Sequence, residues 1–377
     1  MRTPWLLSMI LCLPACGARP PAKPKAEAPS ATVEMDPMIL EASKDGQKTS
    51  IVAYDAQSLF EAAKTAFEAR TYQECADRYQ RVLNRFPKSH YAHAALYNRG
   101  VCLEELRLHR EAASHFRRYS QLATTERDRL DGDFRRGFNL IESGNYPEAL
   151  QLYKSLLARN EIKGFDRAEC LIRQAIARSA AGNFGQAEAD LKAALSLINA
   201  ESEGLIIGND LAAEAYFRRG EIYYALNRKV PLKLPLAQMR ADLKAKVRFF
   251  KHAQKSFLNA LNVREPYWAT AAGMKLGELY EQFYRDVLSA EIPKSMGGEE
   301  RTVYFSELRK QLLPLLKQSV SIYERNITMG LRIGASNRWV RETEQRLKRL
   351  RSLIEGAGES DATTPADKEQ KQSTTNG

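Results

Sequence analysis

A glycine in a shared context recurs along this chain, and no other feature limits the fold so strongly. It ends Tyr97–Gly100, Phe134–Gly137, Phe217–Gly220 and Met274–Gly277, and an aromatic residue or Leu follows three positions later (Leu103, Leu140, Tyr223, Tyr280). The best single unit runs from Gly137 to Leu157, where Gly144-Asn145-Tyr146 separates two helical patterns and Ala149, Tyr153 and Leu156 continue the second. A fixed period of this size means stacked supersecondary units, each too small to bury its own apolar face.

The unit resembles the tetratricopeptide repeat, a helix–turn–helix of about 34 residues. That register puts repeat starts at Ala56, His93, Leu130, Ala168, Ala213 and Thr270, the first four spaced by 37, 37 and 38 residues. Small residues fall where paired helices cross (Cys75, Ala112, Ala149, Ala187), with large ones four positions on (Tyr79, Phe116, Tyr153, Leu191) and Pro87 ending the first unit. Asp133 and Gly273 depart from the pattern by standing where a large residue belongs. The fifth unit is stretched by a proline-punctuated loop from Lys229 to Pro235, and the sixth is interrupted at 293–298. A long helix over about 299–329 carries Pro314, and a last helix over about 337–354 reads as a polar cap. The expected fold is all-α, a right-handed solenoid of antiparallel helix pairs, regular over 55–265 and divergent over 266–355.

In the tetratricopeptide family the fifth and ninth positions of each first helix face a concave groove. Carried onto this chain, the resemblance assigns Phe60, Tyr97, Phe134, Ile172, Phe217 and Met274 to the fifth positions, and Val101, Phe138 and Ile176 to ninth positions. Such an aromatic lining suits the apolar face of a partner's helix or an extended apolar segment. The alternative is that the chain's own C-terminal helices fill the stripe. The Lys/Asn pattern with which some family members clamp a carboxylate is absent.

The N-terminus carries an address. Arg2 precedes an apolar run from Trp5 to Leu13, shorter than the ~20 residues a spanning helix needs. With Leu13-Pro14-Ala15-Cys16 it resembles a bacterial lipoprotein signal. The resemblance implies a signal over 1–15 and an acylated Cys16 (palmitate among the chains) as the first mature residue. Residues 16–54, with prolines at 20, 21, 24, 29 and 37, read as a flexible tether. Residues 356–377, rich in Ser, Thr, Asp and Gly, read as a disordered tail.

The formal net charge of +11 is local. Residues 228–255 hold nine Lys/Arg against Asp242, with Arg240, Lys244, Arg248, Lys251 and Lys255 forming a candidate basic patch; residues 338–351 hold six against Glu342 and Glu344. An exported chain meets no nucleic acid in normal work, so an anionic headgroup, a lipopolysaccharide or an acidic protein fits the patch better, beside the plain reading of a solvated helix face.

No catalytic constellation appears: no phosphate-binding glycine loop, Gly-x-Ser-x-Gly or His-Glu-x-x-His. His90, His93, His109 and His115 lack the Cys or carboxylate spacing of a zinc motif and read as packing and surface residues. No cofactor or metal is expected. Cys75, Cys102 and Cys170 read as buried small hydrophobes, although Cys75 and Cys102 lie on neighbouring helices.

These readings converge on a non-enzymatic scaffold of the bacterial cell envelope. It would be held by lipid at the outer membrane, facing the periplasm, and would bind an envelope protein of an assembly, secretion or motility machine. The alternatives are an enzyme or regulatory subunit, or a solute-binding protein, built on the divergent C-terminal region.

Overall fold

The computed structural model describes residues 37–45, 48–202 and 208–362. The described residues form two compact units, divided between Asn139 and Leu140.

Unit 1 begins with an antiparallel hairpin, β1 (Ile39–Asp45) and β2 (Lys48–Tyr54), in register from Ile39 opposite Tyr54 to Asp45 opposite Lys48. The flexible tether expected over 16–54 therefore does not reach Tyr54. Pro37 is the last proline of the segment, so every later residue keeps the N–H that a ladder needs. Tyr54 is buried, set edge-on to Phe86 at 6.4 Å with Arg81 over its ring at 4.8 Å. Arg81 also pairs with Glu41 at 2.6 Å, so both strands are tied to the second helix of the first repeat.

Helices α1 (Ala56–Glu68), α2 (Tyr72–Arg85), α3 (Tyr91–Glu105), α4 (His109–Leu122) and α5 (Glu126–Glu142) follow, the last crossing into unit 2. A capping box starts α1: the Asp55 carboxylate accepts from the Ser58 N–H at 2.7 Å, and the Ser58 hydroxyl accepts from the Asp55 N–H at 3.0 Å. Helix α1 packs on α2, α2 on α3, α3 on α4, and α1 also meets α3. First helices lying beside first helices are the mark of stacked helix pairs.

Unit 2 holds α6 (Tyr146–Leu157), α7 (Gly164–Ala180), α8 (Phe184–Ser202), α9 (Asn209–Lys229), α10 (Leu236–Asn262), α11 (Pro266–Leu288), α12 (Gly298–Arg332) and α13 (Arg338–Ala362). Each packs on the next, and α7 meets α9, α9 meets α11, and α11 meets α13. Helix α13 thus occupies the place of a further first helix and caps the stack. It runs to Ala362, through the first residues of the expected tail.

The turns repeat as the sequence does. The turn after each of the first four first helices holds a left-handed residue, at Arg70, Arg107, Gly144 and Gly182, with the same spacings of 37, 37 and 38. Glycine takes this conformation freely, whereas an arginine there costs about 1 kcal/mol. Three of the recurring glycines receive rings. A Cβ at Gly100 would lie 2.7 Å from Phe116 Cζ, one at Gly220 2.5 Å from Phe257 Cε1, and one at Gly277 2.2 Å from Tyr323 Cε1. Gly273 is explained too: Asn326 Oδ1 would sit 2.2 Å from its Cβ, so α12 fills the space the missing large residue leaves.

Candidate partner-binding face

In unit 1 the expected face is partly open. Phe60 is half-buried, edge-on to Tyr79 at 5.2 Å and tilted against Tyr91 at 5.1 Å. Tyr97 is half-buried between Phe116 (5.5 Å) and Tyr119 (5.0 Å), and burial pushes its hydroxyl up to about 12. Val101 and Phe134 are half-buried, and Phe138 is 41% exposed.

A polar cluster holds this face. The Arg135 guanidinium lies over the Tyr97 ring at 5.6 Å and pairs with Glu104 at 2.5 Å. Asn139 donates to Glu104 at 2.5 Å, and its Oδ1 lies 2.9 Å from His109 Nδ1. Burial raises the Glu104 carboxyl against the pull of Arg135 and Asn139. Phe138 therefore stands on a floor with little freedom to collapse.

Unit 2 differs at the same repeat positions. Ile172 and Met274 are fully buried and Phe217 is 1% exposed, so these three do not line an open groove; Ile176 is half-buried. Phe217 lies 5.8 Å from Phe257, 5.1 Å from Trp268 and 5.8 Å from Trp339, the last contributed by α13. The chain's own C-terminal helix covers Phe217 here, while Ile172 is buried among α7, α8 and α9 residues.

Two polar locks keep that cover in place, and sequence reasoning missed both. Arg346 of α13 reaches Glu278 at 3.2 Å and Glu281 at 3.4 Å, both on α11. Asn326 donates to the Thr270 carbonyl at 3.0 Å and to the Thr343 hydroxyl at 2.9 Å, joining α11, α12 and α13. Beneath, Arg173 pairs with Glu214 at 2.6 Å, and Arg218 pairs with Glu214 at 3.3 Å and Glu221 at 2.9 Å. Against the upward push of burial, Arg173 and Arg218 hold the Glu214 carboxyl below its ordinary range. A signal for this lattice was present: Glu169 and Arg173 recur as Glu214 and Arg218 at the spacing of their repeat starts.

Cys75 and Cys102 are paired, fully buried, with Cα atoms 6.2 Å apart, within the usual range for a disulfide. The hydrophobe reading of these two is corrected; Cys170 is a buried free thiol that burial pushes up. The four histidines take separate packing roles. His90 lies against Tyr91, His93 stacks on Tyr119 at 4.2 Å, His109 meets Asn139, and His115 contacts Arg99. Burial, then Arg99 and Arg118, push His115 down to about 4. Among the described residues no group of three His, Cys, Asp or Glu is placed to hold a metal.

All five basic-patch residues, Arg240, Lys244, Arg248, Lys251 and Lys255, are exposed along α10. Their neighbour Lys246 is 1% exposed instead and bonds the Asn227 carbonyl at 2.8 Å and Asp286 at 2.7 Å. The signal over 1–15 and Cys16 lie outside the described residues. No described helix is long and apolar enough to cross a membrane.

A family model for the tetratricopeptide repeat matches residues 57–89, from α1 through α2 to the start of the next turn. The match supports the repeat reading at the first unit. Solved structures similar to this chain include the C-terminal part of a repeat-containing protein from Cytophaga hutchinsonii, 13% identical with a TM-score of 0.41, covering 80% of this chain and 98% of that one. A tetratricopeptide repeat protein from Parabacteroides merdae is 14% identical with a TM-score of 0.37, covering 78% and 98%. A Rap protein complexed with competence and sporulation factor is 13% identical with a TM-score of 0.38, covering 80% and 76%. No curated protein sequence matches the chain. The fold is all-α, a tetratricopeptide-like stacking of helix pairs, a scaffold suited to protein–protein interaction.

Proposed function

We propose that this chain is a lipid-anchored adaptor of the bacterial cell envelope that captures a protein partner on the first-helix face of unit 1. The observation that carries the reading is the half-open aromatic floor of Phe60, Tyr97, Val101 and Phe134 with Phe138 rising from it. A rigid aromatic anchor beside an ordered arginine is the composition of an interface hot spot. An amphipathic helix of the partner, laying one apolar side chain beside Phe138, suits it best.

Two features support the envelope. The lipoprotein-like Leu13–Cys16 supplies an anchor, and several acyl chains at about 0.8 kcal/mol per buried CH2 hold a protein stably at a membrane. The buried Cys75–Cys102 pair suits an oxidising compartment outside the cytosol. The outer membrane, facing the periplasm, is the proposed site. The partner belongs to an assembly, secretion or motility machine of that envelope.

Two experiments test the reading. In about 0.5 M salt, which screens charge-driven membrane contacts, Cys16→Ala moves the protein from the membrane pellet to the soluble fraction; a variant that still sediments with membranes there contradicts the anchor. Phe134→Ala with Phe138→Ala lowers recovery of the crosslinked partner, identified by mass spectrometry, at least about fivefold, a loss of ~1 kcal/mol at a hot spot. Circular dichroism shows the helices intact. Unchanged recovery contradicts the face.

A further inference from the structure

Most of the cations paired within unit 2 are spent on its own carboxylates: Arg173, Arg178, Arg218, Arg219, Lys275 and Arg346 all form ion pairs. Helix α10 carries a run of cations outside these pairs. Among the described residues Arg240, Lys244, Arg248, Lys251 and Lys255 have no ion pair, and Asp242 is the helix's one acidic side chain. At about 100° per residue these five fall within roughly 80° of arc, and their run of sixteen residues spans about 22 Å.

The flank of that stripe is apolar. Leu236 is 56% exposed, Leu243 38% and Leu258 42%, and on the same wheel they lie together along one edge of the cations. The opposite face is fixed. Ala253, Phe257 and Ala260 are fully buried, and Lys246 is bonded to the Asn227 and Val230 carbonyls and to Asp286. The charged side cannot rotate inward, and its leucines stay 38–56% exposed.

We propose that the exposed face of α10 docks on an anionic lipid bilayer, lying in the headgroup plane with Leu236, Leu243 and Leu258 at the acyl boundary. A row of cations with apolar residues along one edge is the composition of an interfacial helix. Evenly spread lysines and arginines match a plane of diffuse negative charge. An acidic protein partner is disfavoured because its affinity would centre on an anchor in a pocket, and this face offers neither exposed aromatic nor concavity. The contact is independent of acylation at Cys16 and of partner capture by unit 1.

The test uses the full chain with Cys12→Ser and Cys16→Ser, so that no acyl chain contributes, and an environment-sensitive fluorophore on Leu243→Cys. Phosphatidylcholine vesicles with about one phosphatidylglycerol in four shift the emission to the blue, while pure phosphatidylcholine vesicles leave it unchanged. Raising salt from about 0.05 to 0.5 M weakens the shift, because screening shortens the reach of the cations. Arg240→Gln with Lys244→Gln and Lys251→Gln lowers vesicle affinity read at this site at least about tenfold, at roughly fivefold per basic residue as the upper rate, with the helical melt unchanged. A fluorophore that stays in water while the protein floats with anionic vesicles overturns the proposal. So does a shift that the three glutamines leave intact, or recovery of an acidic protein through these residues without any vesicle response.

Discussion

Position five of the first helix is Tyr97 in unit 1 and Phe217 in unit 2, and the two rings have opposite fates. Tyr97 shares a half-open face with Val101, Phe134 and Phe138. Phe217 is enclosed by Phe257, Trp268 and Trp339. The repeat code is the same in both places, so the code does not decide whether the inner stripe is a binding surface. What decides is whether a later helix arrives to cover it. Helix α13 does so over Phe217, held by Arg346 on Glu278 and Glu281 and by Thr343 on Asn326.

The largest expected effect breaks the closed side. Phe217→Ala removes a ring packed on three others and costs about 3–5 kcal/mol. Hydrogen exchange accelerates across α9, α11 and α13 while α1–α3 stay protected; a loss under ~1 kcal/mol contradicts the enclosure. Next comes the staple of the open side. Cys75→Ala releases a 27-residue separation and costs about 3–4 kcal/mol by loop-closure entropy. The loss falls on α1–α4, and a chemical denaturation curve indifferent to reductant contradicts the pairing. The smallest structural effect belongs to Phe138→Ala, which changes stability by less than ~0.5 kcal/mol because its ring is largely in water, yet weakens partner capture.

Much of this fold was legible. The spacings of 37, 37 and 38 reappear in the left-handed turns, and Gly100, Gly220 and Gly277 each mark a place where a ring fits. The hairpin was missed because prolines upstream of residue 38 coloured the whole segment, although Asp45-Gly46 between β-formers is a hairpin signal. The closure over Phe217 was not legible in detail, since Trp339 lies 122 residues downstream and no local pattern reports which stripe a distant helix will cover. The Cys75–Cys102 contact likewise needed the distance between two backbones. Phe138 and the five basic-patch residues, by contrast, are exposed.

The difference between the two faces is tested most directly by a photo-crosslinking side chain placed at Phe138 in one strain and at Ile176 in another, the ninth position in each unit. The account predicts a discrete partner adduct from Phe138, lost when Phe134→Ala is added, and none from Ile176. Equal adducts from both positions, or an adduct from Ile176 alone, would contradict it.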